Sequence, residues 1–221
     1  MMLAAKQSKT VVADVEERLE ALSPDLSVGL IHDIVKIAYS YVEDLTRFAP
    51  VNSKGIELHL RATECLRDRL SGVGWRVDNS ENVPSIVSAD GKLRIACSAT
   101  GGPDTGVVAG SPMLSERGKG TLRLAGCERA ETLPIPGLEE FAPCSIVKLD
   151  NAVFWYLLMH IDESNAEIRM ELSEPVFYSD GTQLDWKDRV ILPPISLCFE
   201  QPTIDISEAP TPVIEVARKA S

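Results

Sequence analysis

The chain of 221 residues has no long hydrophobic run. The longest, Val153 to Met159, is strand length and is ended by His160 and Asp162, far short of the roughly 20 residues that a membrane-spanning helix needs. The N-terminus meets Lys6 after a very short apolar stretch and has no secretory h-region. These two absences predict a cytoplasmic protein with no membrane partner. Cysteine is sparse: Cys65, Cys97, Cys127, Cys144 and Cys198 are odd in number, and no two form a CxxC pair. Zinc-knuckle spacing is therefore excluded, and buried thiols in a reducing compartment are expected. Several catalytic signatures are missing as well. No HExxH, GxGxxG or Walker A loop occurs, and no GxSxG nucleophile elbow.

Positive charge is also short. The formal net charge is −11, which argues against a general nucleic-acid binder, because such proteins use basic surface to displace counterions from phosphates. The acids are concentrated: the stretch 150–188 holds nine against two bases, Arg169 and Lys187. A field of one sign can steer a partner with a basic surface. What remains is ordinary globular composition, 44% apolar and 25% charged.

The periodicity predicts an α+β fold, with N-terminal helices packed on a mixed or antiparallel sheet that ends in a C-terminal β-meander. Residues 1–10 read as frayed, and a short helix is expected from Val11 to Leu22. Ser23 and Pro24 are placed as N-cap and first helical residue of the next helix. Leu26, Leu30, Ile34, Ile37, Tyr41, Leu45 and Phe48 repeat there at spacings of four and three, and Pro50 ends it. This heptad-like seam over residues 24–48 suits packing on the domain or pairing with a second copy of the chain. A further helix is expected from Ile56 to Leu70, with Leu60, Leu66 and Leu70 inward.

After Gly74 the period changes. "WRVD", "PSIVSA" and "KLRIACSA" read as short strands, the last two joined by the hairpin turn Asp90-Gly91. Residues 101–145 read as long connections with short strands such as "TLRLAG". The meander comprises "VFWYLLMHI", "EIRMELS", "PVFYS", "RVILPP" and "ISLCF", with an Asp180-Gly181 turn. In its second strand Ile168, Met170 and Leu172 face in, and Glu167, Arg169 and Glu171 face out. The organisation expected is a helical segment over 1–50, a main α/β domain over 51–200 and a proline-containing tail over 201–221.

Residues 56–98 carry a resemblance. A helix, a short strand and the hairpin "VPSIVSADGKLRIACSA" follow one another, and this order resembles the core of the PD-(D/E)XK, restriction-endonuclease-like, superfamily. The resemblance implies a Pro-Asp pair opening one hairpin strand and a Glu-x-Lys or Asp-x-Lys triplet on the next. It also implies that the carboxylates hold Mg²⁺, which activates water. In this chain Pro84 is followed by Ser85, and the triplet position reads Ala96-Cys97-Ser98. The acids left as candidates for such a site are Glu57, Asp78, Asp90 and Asp104.

Two glycine-rich loops suit phosphate. Gly101, Gly102, Thr105 and Gly106 can turn backbone N–H groups toward an anion, and Arg117 and Lys119 add charge to a flexible "RGKG". His160 and Asp162 alternate onto one strand face with Glu167 across the hairpin, a weak metal pair or an oriented base. With no intact catalytic set, the expectation is a non-enzymatic binding or regulatory protein that acts through a protein partner and needs no cofactor. The alternative is a divergent metal-dependent nuclease, or another enzyme acting on phosphate-containing substrates, using Mg²⁺.

Overall fold

The computed structural model describes residues 9–11, 15–115, 118–126, 151–177 and 183–197. The Asp180-Gly181 turn, Arg117 and the tail lie outside them. The class is α+β. Three helices follow a short N-terminal strand: α1 (Val15–Leu22), α2 (Val28–Glu43) and α3 (Ser53–Ser71). The strands are β1 (Lys9–Val11), β2 (Arg76–Asp78), β3 (Ser85–Val87), β4 (Leu93–Ser98), β5 (Val153–Asp162), β6 (Glu167–Phe177) and β7 (Gln183–Ser196), with a short α4 (Lys119–Leu124) between β4 and β5. They form one mixed sheet in the order β1-β7-β6-β5-β4-β3-β2. The β4–β5 and β1–β7 pairs are parallel and the others antiparallel. The antiparallel meander stands, but with three strands, since "EIRMELS" and the start of "PVFYS" run together as β6.

Several boundaries differ from the sequence reading, each for a local reason. The first ten residues are not wholly frayed, because Lys9–Val11 pairs with Asp188–Val190 as an edge strand. Helix α1 accordingly starts at Val15 rather than Val11. Helix α2 is capped by Ser27, whose hydroxyl accepts from Leu30 N at 3.1 Å, and the Glu16 carboxylate accepts from Val28 N at 2.9 Å. Two of the amides left unpaired at a helix start are thus satisfied. Ser23 instead sits in a turn whose Asp25 accepts from Trp75 Nε1 at 2.8 Å. The buried stripe of α2 is Ile31, Ile34, Val35, Ala38 and Val42, not the heptad-like seam. Tyr41 is 42% and Phe48 81% exposed, and the helix stops at Glu43.

One strand replaces two near the end of the meander. "RVILPP" and "ISL" run together as β7, with Pro193 and Pro194 inside it. Between Ile168 and Met170 the register slips, so that the two prolines lie where β7 has one residue more than β6. β1 pairs only as far as Val190. Prolines, which have no N–H to donate, are tolerated at such an open bulge. His32 Nε2 donates to Pro193 O at 2.9 Å and so ties α2 to this bulge.

The alternation of the strands feeds two cores. Ile95, Cys97, Trp155, Leu157, Met159, Ile168, Met170 and Leu172 pack under the three helices, so α1 and α2 share a core with the residues beyond position 50. On the opposite face Ala96, Phe154, Tyr156, Leu158, Phe177 and Trp186 pack under Leu114, Leu122 and Leu124. The layers are helices, sheet, then the connection that follows β4. "TLRLAG" is therefore not a strand: Thr121, Leu122 and Leu124 reach this second core from α4.

This second layer overturns one expectation about β6. Glu171 does not face solvent; it is 0% exposed and Arg189 3%. Arg189 Nη2 and Nε donate to Glu171 at 2.5 and 3.1 Å, and Ser173 Oγ donates to the same carboxylate at 2.8 Å. Arg189 also donates to Gly110 O at 2.6 Å and Val107 O at 3.2 Å, which pins the connection down. Trp186 Nε1 donates to Pro112 O at 2.9 Å, and Leu114 N donates to Gln183 at 2.7 Å. Removing one member of a buried, hydrogen-bonded ion pair strands the other charge away from water. Glu171→Ala is thus expected to lower the unfolding free energy by about 3–5 kcal/mol in urea denaturation. The double variant Glu171→Leu/Arg189→Met should lose clearly less than the sum of the two single changes. An additive loss would show that the two charges do not depend on each other.

Candidate functional site

The hairpin forms as read. Ser88 N donates to Leu93 O at 2.8 Å, and Gly91 takes the left-handed φ of +72° that the turn requires. Asp90 belongs to this turn. Its carboxylate accepts from Ser88 Oγ at 2.6 Å and Lys92 N at 3.1 Å, and these bonds with the Lys92 charge hold its pKa down at about 2. The register Ser85↔Ala96 sets the two positions of the resembled motif side by side. Neither is a carboxylate. Beside them lies the buried Arg94 guanidinium, which donates to Ser85 Oγ at 2.7 Å and pairs with Asp78. Burial opposes the charge on Asp78, but hydrogen bonds from Arg94 and Ser80 outweigh it and leave the carboxyl below its usual range.

The other candidate acids are committed elsewhere. Glu57 accepts from Arg61 Nε at 2.7 Å, and that guanidinium stacks over the Tyr41 ring at 4.4 Å. Asp104 is exposed in the 3₁₀ turn Gly102–Asp104. Glu57, Asp78, Asp90 and Asp104 thus belong to four local structures and do not converge. Among the described residues no group of three or more His, Cys, Asp or Glu is placed to hold a metal ion.

The glycine-rich loop is not an open phosphate cradle. Gly106 N donates to Glu171 Oε2 at 3.0 Å, so its N–H serves a carboxylate of the same chain. A side chain at Gly106, where φ is +72°, would meet Arg169 Cβ at 2.9 Å and Met170 N at 3.1 Å, which shows how closely the loop lies on β6. Gly101 and Thr105 are buried and Gly102 is half-buried. Lys119 starts α4, whose Gly120 packs against the backbone of Glu81. The two loops therefore rest on different parts of the sheet.

His160 and Asp162 share a face of β5, and Glu167 stands opposite Asp162. The pair is closed by other groups. Asp162 accepts from Ser164 Oγ at 2.5 Å and Asn165 Nδ2 at 2.9 Å, and Arg169 lies 3.0 Å away. These contacts hold the Asp162 carboxyl well below the usual range. Burial and the neighbouring Arg169 lower the His160 pKa, against an opposing pull from Asp162.

The sequence reading missed a cleft of about 470 Å³ between the first turns of α3 and the end of β4. Gly55, Ile56, His59 and Leu60 form one wall, and Cys97, Ser98 and Thr100 the other. Its volume lies within the common range for ligand pockets, and no Asp, Glu, Lys or Arg lines it. Leu60, read as core, is 55% exposed. The buried stripe of α3 is Leu58, Ala62, Thr63, Leu66 and Leu70, which turns Ile56 and Leu60 together toward the cleft. Their i,i+4 spacing outside that stripe is the signal that could have revealed it. At the cleft floor, burial pushes the Cys97 thiol up to about 12, only partly offset by a hydrogen bond with Thr63.

Comparison of the chain with family models, curated proteins and solved structures finds no match.

Three measurements test these assignments. A carboxylate whose folded pKa is depressed adds stability above its unfolded value, about 3.9 for Asp, and loses it as pH falls through the folded one. Asp90 should therefore titrate near pH 2 by NMR, and Asp90→Asn should flatten the decline in stability between those two values. Cys97 should stay unalkylated by iodoacetamide in native protein at neutral pH, as read by peptide mass mapping, and react once urea unfolds the chain. Labelling at the rate of a free thiol would refute the assignment.

Proposed function

We propose that the protein is a cytoplasmic binding or regulatory protein that works through contact with another protein, and that it does not cleave nucleic acid. The observation that carries this reading is the Arg94 guanidinium beside Ser85, paired with Asp78. It lies next to the positions where the resemblance would have carboxylates gather Mg²⁺. A divalent cation and a buried guanidinium repel each other there. The chain instead offers an open apolar cleft bounded by exposed Ile56 and Leu60. Beside it Glu163, one of the acids of the 150–188 stretch, pairs with Lys54. The unpaired thiols of Cys65 and Cys97 suit a reducing compartment. Among the described residues no helix is long and apolar enough to cross a membrane.

The nuclease alternative draws support from the succession α3, β2, β3, β4 and from the Ser85↔Ala96 register. One assay separates the readings. Purified protein incubated with single- and double-stranded DNA and with RNA, in Mg²⁺ or Mn²⁺, should leave the substrates intact. Neither metal should raise its melting temperature, since a ligand that binds the folded state must stabilise it. Metal-dependent cleavage that disappears in Glu57→Ala or Asp90→Ala would overturn the proposal.

A further inference from the structure

The end of β7 and the apolar cleft lie at the same edge of the sheet. Strands β4, β5 and β7 run in one direction, since β4 pairs parallel with β5 and two antiparallel steps separate β5 from β7. Their carboxyl ends therefore fall together. After β7, Leu197 N donates to Ala166 O at 2.7 Å, in the turn between β5 and β6. Glu163 of that turn pairs with Lys54 of α3. A smaller cavity of about 220 Å³ beside this pair shares Gly55 and Ala99 with the larger cleft. Leu197 also packs on the core beneath the helices, the face that carries α3. A path of adjacent residues thus runs from the end of β7 to the cleft.

Residues 198–221 continue from that point and lie outside the described residues. Length and charge select which of them can fill the cleft. β7 and β4 are three strand steps apart, about 14 Å at the usual spacing. Phe199, two residues past Leu197, reaches only about 7 Å. The cleft lining is uncharged, but the residues around it have a negative excess. Segments 53–64 and 162–169 hold Glu57, Glu64, Asp162, Glu163 and Glu167 against Lys54, Arg61 and Arg169, and each of those bases already serves an acid of the chain. Ile204 and Ile206 flank Asp205 in a stretch, 198–212, with three acids and no base, the wrong sign for this edge. Val213, Ile214, Val216 and Ala217 instead precede Arg218 and Lys219. An apolar run followed by two bases suits an apolar slot with an acidic surround.

We propose that the chain's own segment 213–219 docks in the cleft, with Ile214 and Val216 against Ile56 and Leu60 and with Arg218 and Lys219 toward the Glu163 turn. This rests on reading the cleft as a protein-binding surface and makes that surface self-occluded, so that a protein partner must displace the tail to reach it. In an extended segment alternate side chains point the same way, so Ile214 and Val216 enter together and Glu215 turns to solvent. Tethering supplies the segment at an effective concentration in the millimolar range. A contact too weak to hold a free peptide at ordinary concentrations can therefore keep the cleft filled.

The test compares amide NMR spectra of the full chain and of its Ile214→Asp/Val216→Asp variant. The amides of Gly55, Leu60 and Thr100 should shift on substitution, while those around Glu171 and Arg189 stay in place. A peptide of residues 210–221, added to the variant at millimolar concentration, should move the cleft amides back toward their wild-type positions. It should fail to do so when Leu60→Glu is added to the variant. Cleft amides that do not respond to the tail substitutions overturn the proposal. So does a difference that fades when the wild type is diluted, because the tail of a second copy would then be the occupant. An unresponsive cleft in a protein that leaves nucleic acid intact would sink this inference alone. Metal-dependent cleavage would sink the functional reading and leave the spectral comparison standing.

Discussion

Glu171 and Arg189 face each other on the second surface of the sheet, with neither side chain in contact with bulk water. Two opposite charges can stay there only if each finds nearly all its hydrogen bonds inside the protein. The carboxylate takes them from Arg189, Ser173 and the Gly106 amide, and the guanidinium gives the remainder to the carbonyls of Val107 and Gly110. The connection after β4 is thus held by the same charges that it covers. Once it is in place, Leu114, Leu122 and Leu124 close over Phe154, Tyr156 and Trp186. Fully burying side chains of this size contributes about 1.5–3 kcal/mol each. The pair gives the layer its position, and the apolar contacts give it most of its stability.

The same economy governs the other polar groups. Arg94 is buried but satisfied by Asp78 and Ser85, and Asp162 is wrapped by its own turn and by Arg169. Residues that read as chemistry in the sequence are spent on architecture. The alternation of charged and apolar residues along β6 suggested a solvated face, yet a sheet can bury a row of charges when a loop supplies the partners. Among the described residues, large apolar side chains meet solvent at the tip of the helical hairpin and along the cleft beside it.

Local signals were legible where the physics is local. The Asp90-Gly91 turn, the 3.6-residue periodicity of α2 and α3 and the meander β5–β6–β7 all follow from steric and pattern rules within a few residues of chain. The boundaries were less so. In α2 two overlapping stripes compete, one through Ile37, Tyr41 and Leu45 and the other through Ile34, Ala38 and Val42. The second is the one that is buried. "TLRLAG" alternates weakly enough to serve either period, and the second core fixed it as a helix.

By itself, the sequence determined an α+β chain with helices first, a tight hairpin after them and a closing meander, and it determined that the motif positions Ser85, Ala96 and Ser98 lack carboxylates. Short-range geometry and residue chemistry suffice for each of these. Only the tertiary structure decided that Glu171 is buried, that Gly106 gives its amide to a carboxylate of the same chain, that the four candidate acids stay apart, and that Ile56 and Leu60 line an open cleft. Each of those outcomes depends on segments distant in sequence packing face to face. Burial and hydrogen-bond partnership belong to that packing and have no local signature.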